Sequence, residues 1–98
     1  SDALKRGSDT PNLQGNTVIL VELFSKEDCH LCQEAMAVLH EVRREIPFEL
    51  EERKIAPGDH FFEKFKEKVP VVFINGEEVF HYRVNKQALR EKLRRVQE

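Results

Sequence analysis

The chain has two cysteines, Cys29 and Cys32, and they lie three positions apart in Ser25-Lys26-Glu27-Asp28-Cys29-His30-Leu31-Cys32. Thiols at this spacing serve as a redox dithiol, as half of a metal site, or as two small apolar residues without chemistry. A structural metal centre takes about four ligands, and no second CxxC exists to complete one. His30 could join the pair, with His60 or His81 arriving from elsewhere in the chain. A single local pair is also too little for a disulfide scaffold, so the fold must be held by its core. The elements before and after the cysteines decide between these chemistries.

Thr17 to Phe24 is a near-continuous apolar run rich in β-branched residues, which suits a central strand covered on both faces. After Ser25 to Asp28 a helical pattern begins. Leu31, Ala35, Leu39, Val42 and Ile46 recur at spacings of four, four, three and four, an apolar stripe along one helix face. Pro47 ends that helix, because the residue before a proline disfavours the helical region. Phe48 to Ile55 reads as a second, half-exposed strand. Ala56-Pro57-Gly58-Asp59 is a turn, with Asp59 the expected N-cap of a short helix whose core side chains are Phe61, Phe62 and Phe65. Val69 to Ile74 is a further buried strand, and Asn75-Gly76 predicts a tight hairpin into a returning strand over Glu77 to Tyr82. Asn85 is placed to cap a last helix with Leu89, Leu93 and Val96 inward.

The order is β-α-β-α-β-β-α. A crossover gives two parallel strands and the hairpin an antiparallel pair, so the sheet is four-stranded and mixed. Helices must flank both of its faces, since the first and third strands are apolar throughout. This is the small form of the thioredoxin-like α/β architecture. Residues 1–16 carry only Ala3, Leu4 and Leu13 as apolar side chains and read as a disordered leader before a domain spanning 17–98.

On this frame Cys29 falls at the N-terminus of the first helix, where unpaired N–H groups and the helix dipole favour an anion. A free thiol ionises at about pH 8.5, and such a position lowers that value. Cys29 is therefore expected to be the attacking sulfur. Cys32, one turn later and more buried, is expected to resolve the mixed disulfide. Lys26 assists thiolate formation, whereas Glu27 and Asp28 oppose it. By likeness to thioredoxins the strand position beneath the cysteine pair falls at Leu23, so Glu22 is expected on the opposite face, as a partly solvated strand-end residue. His30 reads as a solvent-facing spacer, His40, His60 and His81 as surface residues.

Phe24-Ser25-Lys26-x-x-Cys29-x-x-Cys32, Val69-Pro70 before an apolar strand, and the Asn75-Gly76 hairpin together resemble the glutaredoxins, and more narrowly the glutaredoxin-like branch of the thioredoxin superfamily. The resemblance runs from about Thr17 to Val96. It implies Cys29 as nucleophile and Cys32 as resolving cysteine, a cis peptide before Pro70, and a Val69 backbone that turns its N–H and C=O toward bound peptide or glutathione. It also implies that Lys26 contacts the glycyl carboxylate of glutathione. Two segments depart from the family pattern. His30-Leu31 replaces the usual Pro-Tyr between the cysteines. Phe80-His81-Tyr82-Arg83-Val84-Asn85 puts bulky side chains where glutaredoxins have a double glycine that cradles the γ-glutamyl end, and Arg83 is the candidate for a replacement carboxylate contact.

The formal charge of −2 suggests no nucleic-acid partner. No apolar run approaches the roughly 18 residues of a membrane span, and no secretory signal is visible. The expectation is thus a monomeric cytoplasmic thiol–disulfide oxidoreductase of the glutaredoxin or thioredoxin type, with no bound cofactor. It would use a redox-active disulfide for electron transport, reducing protein or glutathione mixed disulfides. Substrate contacts would come from Lys26, His30, Leu31, Val69, Pro70 and Arg83, and no metal ligands are assigned. Glutathione is the candidate co-substrate, and a thiol reductant or a reductase would restore the dithiol. The alternatives are a non-catalytic interaction module on the same fold, or carriage of a metal or iron–sulfur cluster through Cys29 and Cys32.

Overall fold

A computed structural model describes residues 18–97, so the leader reading for residues 1–16 lies outside the described residues. The elements follow the expected order: β1 (Leu20–Ser25), α1 (His30–Arg43), β2 (Glu49–Lys54), α2 (Phe62–Phe65), β3 (Val71–Ile74), β4 (Glu77–His81) and α3 (Lys86–Gln97). The sheet runs β2-β1-β3-β4. β1 and β2 are parallel, as the α1 crossover requires, while β1–β3 and β3–β4 are antiparallel. Among the described residues no helix is long and apolar enough to cross a membrane.

Alternation along β1 divides the core in two. Val21 and Leu23 face α1 and α3, packing with Leu39, Val42, Leu89 and Leu93. Phe24 faces the other way and packs with Cys32, Ile55, Phe65, Val69 and Val71. Both faces are therefore covered, but unequally: two long helices on one, and a single turn of helix on the other. Glu22 shares the second face, the one that also holds the cysteines, whereas the expectation put Leu23 there and Glu22 opposite. It sits in mid-strand, not at the strand end, and survives there by pairing with Arg53 on β2 at 2.9 Å.

Several boundaries differ from the sequence reading, for local reasons. β1 starts at Leu20, leaving Val18 exposed, although Ile19 is still buried. α1 stops at Arg43, three residues short of Ile46; Ile46 stays in the core through a tight turn in which its N–H donates to the Val42 carbonyl at 2.9 Å. β2 covers Glu49–Lys54 only, and as an edge strand it is largely exposed. Asp59 does not cap a helix. Its carboxylate accepts the Ala56 N–H at 3.3 Å and closes the turn, so α2 begins later, after Phe61, without a side-chain cap. Phe61 keeps substantial exposure but stacks on Phe65 and meets the edge of Phe24.

The hairpin and the last cap stand as expected. Asn75 and Gly76 both take positive φ, 51° and 85°, the pairing that a right-twisted two-residue hairpin demands. The Asn85 side chain accepts the Ala88 N–H at 2.8 Å at the start of α3. α3 is then locked to α1 across the surface by Lys86–Glu41 at 2.6 Å and by a two-point Arg90–Glu45 pair, each contact 2.8 Å.

Candidate active site

β1 ends at Ser25 and the chain turns through Asp28, which takes a φ of 53°, to deliver Cys29 to the N-cap of α1. Cys29 has extended backbone angles, φ −111° and ψ 104°, and its sulfur accepts the Cys32 N–H at 3.2 Å. A sulfur thus occupies the place that a Ser or Asp oxygen commonly takes at a helix start. Cys32 lies one turn inside and is only 4% exposed, whereas Cys29 is half-buried. The two sulfurs are joined as a disulfide, with Cα atoms 5.2 Å apart. Cys32 also takes the buried position that the stripe gave to Leu31; Leu31 is displaced to the rim and half-buried.

Beneath the pair lies the second core face, and Cys29 itself packs against the group that contains Phe65, Val69 and Val71. The Val69–Pro70 peptide is cis. One expectation about it fails, because the Val69 N–H donates to the Phe65 carbonyl at 3.0 Å and only its C=O remains for a ligand. The short α2 is the cause, since its last turn runs directly into Val69. The same helix captures Lys26, whose ammonium donates to the Lys66 carbonyl at 3.0 Å.

Two depressions lie along α1, and the cysteines line one of them. One, of about 320 Å³, includes Ser25, Lys26, Cys29, Cys32 and Glu52 in its lining. Ser25 is 1% exposed, and its hydroxyl donates to the Glu52 carboxylate at 3.0 Å. Glu27 pairs with Lys54 at 3.6 Å, and the cation moderates its opposition to a thiolate at Cys29. The other depression, about 290 Å³, lies between α1 and the segment joining β4 to α3, with Leu31 and Arg83 among its walls.

His30 points to solvent, as expected, and its Nε2 meets Glu34 at 2.9 Å. Arg83 approaches the other oxygen of Glu34 at 4.0 Å. The structure therefore brings Leu31 and Arg83 together on one flank, Lys26 on the other, and Val69-Pro70 below. Sequence reasoning missed Glu34, though its i, i+4 spacing from His30 was a usable signal. It also missed Tyr82, held at φ 67° with its N–H shared between the Lys68 and Pro70 carbonyls at 3.0 and 2.9 Å. Among the described residues no group of three His, Cys, Asp or Glu side chains is gathered to hold a metal.

A family model described as "Glutaredoxin-like domain (DUF836)" matches residues 20–94, from β1 into α3 with both cysteines inside the match. The chain belongs to the glutaredoxin-like domain family. Protein Ne2328 from Nitrosomonas europaea, solved by NMR, superposes on this glutaredoxin-like domain with a TM-score of 0.68 at 27% identity, covering 84% of this chain and 98% of that one. A structure from X. campestris gives 0.65 at 24% identity, over 76% of this chain and 96% of the other. Thioredoxin-2, described as a component of malaria parasite protein secretion machinery, gives 0.57 at 12% identity, over 86% and 88%. The last two speak for the thioredoxin-like fold alone.

Proposed function

We propose that this glutaredoxin-like domain is a small thiol–disulfide oxidoreductase that reduces disulfides with the Cys29/Cys32 dithiol. The observation that carries the reading is the unequal placement of two bonded sulfurs: Cys29 half-exposed at a helix N-cap, Cys32 buried one turn behind it. In the reduced protein the Cys29 thiolate attacks one sulfur of a substrate disulfide. A bond forms from Cys29 to that sulfur, the substrate S–S bond breaks, and the second substrate sulfur leaves as a thiolate that takes up a proton. Cys32 then gives up its proton and attacks the Cys29 sulfur, releasing the remaining substrate thiol. Two electrons have passed to the substrate, and the protein is left as the intramolecular disulfide. An external dithiol, or two equivalents of a monothiol such as glutathione, returns it to the start.

The helix start supports the first step, because it places a donor and the positive dipole end at the attacking sulfur. Burial supports the division of roles, since the resolving thiol is kept from solvent until a mixed disulfide forms beside it. The reading implies a reducing compartment, most simply the cytoplasm, and a monomer acting on protein or glutathione mixed disulfides.

Turnover of bis(2-hydroxyethyl) disulfide, with dithiothreitol or glutathione as final reductant, tests the reading. Wild type is expected to turn over, Cys29→Ser to be inactive, and Cys32→Ser to accumulate a stoichiometric mixed disulfide visible by mass spectrometry. A wild-type protein inactive with both reductants overturns it.

A further inference from the structure

Glutathione offers two carboxylates, an ammonium and two amides but no large apolar side chain. A site built for it must supply free backbone donors or fixed cations near the nucleophile. Here several of the donors around the cysteine pair are already engaged. The Val69 N–H is bonded to Phe65, the Tyr82 N–H to Lys68 and Pro70, and the Arg83 N–H to His81 at 2.8 Å. The Ala88 N–H in the first turn of α3 is taken by Asn85. Lys26 donates to the Lys66 carbonyl.

What the same surface does offer is a groove with apolar walls and a polar rim that includes Glu34, Arg83 and Asn85. Leu31, Ala35 and Val38 of α1 form one wall, Phe80 and Val84 the other, enclosing about 290 Å³. Leu31 lies between the two cysteines in sequence and lines this groove, although the cysteines themselves line the other depression. At its rim the Arg83 side chain is 76% exposed, and its nearest carboxylate is Glu34 at 4.0 Å. The other Glu34 oxygen is occupied by His30 at 2.9 Å. A guanidinium held this loosely keeps most of its donors for an incoming carboxylate.

We propose that this groove selects a protein disulfide as substrate: a polypeptide carrying a large apolar side chain beside its reactive half-cystine and an acidic residue that takes Arg83 from Glu34. The proposal rests on the oxidoreductase reading and narrows its substrate from any disulfide to polypeptides of this pattern.

The test uses the full chain, dithiothreitol as final reductant, and mixed disulfides of 2-mercaptoethanol with short peptides. The peptides differ only in the flanks of their cysteine: Phe and Asp, Phe and Lys, or Gly and Gly. The Phe/Asp peptide is expected to exceed the Gly/Gly peptide about tenfold in kcat/KM, chiefly through KM, as burial of one large apolar side chain implies. The mixed disulfide of glutathione should do no better than the Gly/Gly peptide. Val38→Asn should bring the Phe-to-Gly ratio toward one, and Arg83→Glu should invert the preference between Asp and Lys. Because each comparison is a ratio within one variant, a general loss of activity cancels. If Val38→Asn fails to fold, the exposed Arg83 exchange still decides. Equal kcat/KM for all peptides with an active wild type overturns the groove and leaves the oxidoreductase reading standing. If wild type does not reduce bis(2-hydroxyethyl) disulfide, that reading fails, and binding of the Phe/Asp peptide with serine for its cysteine is followed by NMR. Saturable shifts at Leu31, Val38 and Val84 would support the groove, and their absence would overturn it too.

Discussion

The Cys32 backbone N–H donates to the Cys29 sulfur at 3.2 Å, so the first turn of α1 aims a donor at the atom that carries charge in the reduced protein. A hydrogen bond to the charged form favours that form, and the helix dipole adds to it. The Cys29 thiol is therefore expected to ionise below the ordinary value of about 8.5. Ultraviolet thiolate absorbance across a pH titration of Cys32→Ser measures it without interference from the second thiol. Asp28→Asn, which removes the adjacent carboxylate, should lower the value further. A Cys29 that ionises at or above the ordinary value contradicts the assignment.

Ser25 presents an asymmetric case. Its hydroxyl is buried and its donor is spent on Glu52, which reaches in from the exposed edge strand. Ser25→Ala removes the donor together with its need, and should cost about 1 kcal/mol. Glu52→Ala leaves a buried hydroxyl without its acceptor and should cost more, about 2 kcal/mol, although it deletes the more exposed partner. Urea unfolding of the two variants orders them, and the reverse order would mean that the hydroxyl has another acceptor.

The contrast between these two residues marks what could be read without coordinates. The helix stripe, the Asn75-Gly76 hairpin, the Asn85 cap and the CxxC at a strand-to-helix junction are local patterns, and local patterns carry the fold here. Asp59 shows the limit of that reading. A turn and a helix cap ask for the same residue type, and only the number of residues left before Phe62 decides between them. The fate of Lys26, the engaged Val69 amide and the Ser25–Glu52 contact depend on where α2 ends and on the register of β2 against β1. Neither is encoded in a short window. Glu34 lies between: its pairing with His30 is helical spacing, whereas its approach to Arg83 needs the fold.

Asn75 combines two functions that separate cleanly by substitution. Its φ of 51° lies in the left-handed region, and its side-chain oxygen accepts the Leu20 N–H at 2.9 Å, tying the hairpin to the first residue of β1. Asn75→Gly keeps the conformation and loses the hydrogen bond, for an expected cost of about 1 kcal/mol. Asn75→Ala loses both and should cost about 2 kcal/mol. Chemical denaturation should rank wild type, Gly and Ala in that order. Equal stability of the Gly and Ala variants would mean that the turn relaxes out of the left-handed region.

The α1–α3 clasp should make stability depend on pH in the acid range. Arg90 binds both oxygens of Glu45 and holds its carboxyl below the ordinary value of 4.5, chiefly through the hydrogen bond and then through charge attraction; Glu45 in turn raises Arg90. A carboxyl with a depressed folded-state pKa binds its proton less readily in the folded than in the unfolded chain. Its contribution is therefore present in full above the unfolded value and is lost as pH falls through the folded one. Arg90→Gln should lower the denaturation midpoint near neutral pH, and the gap to wild type should close in acid well below the ordinary carboxyl range. Raising salt at neutral pH should narrow the same gap, because the pair lies at the surface. A gap that persists unchanged through the acid range would show that Arg90 acts through packing of its stem across α1, and not through Glu45.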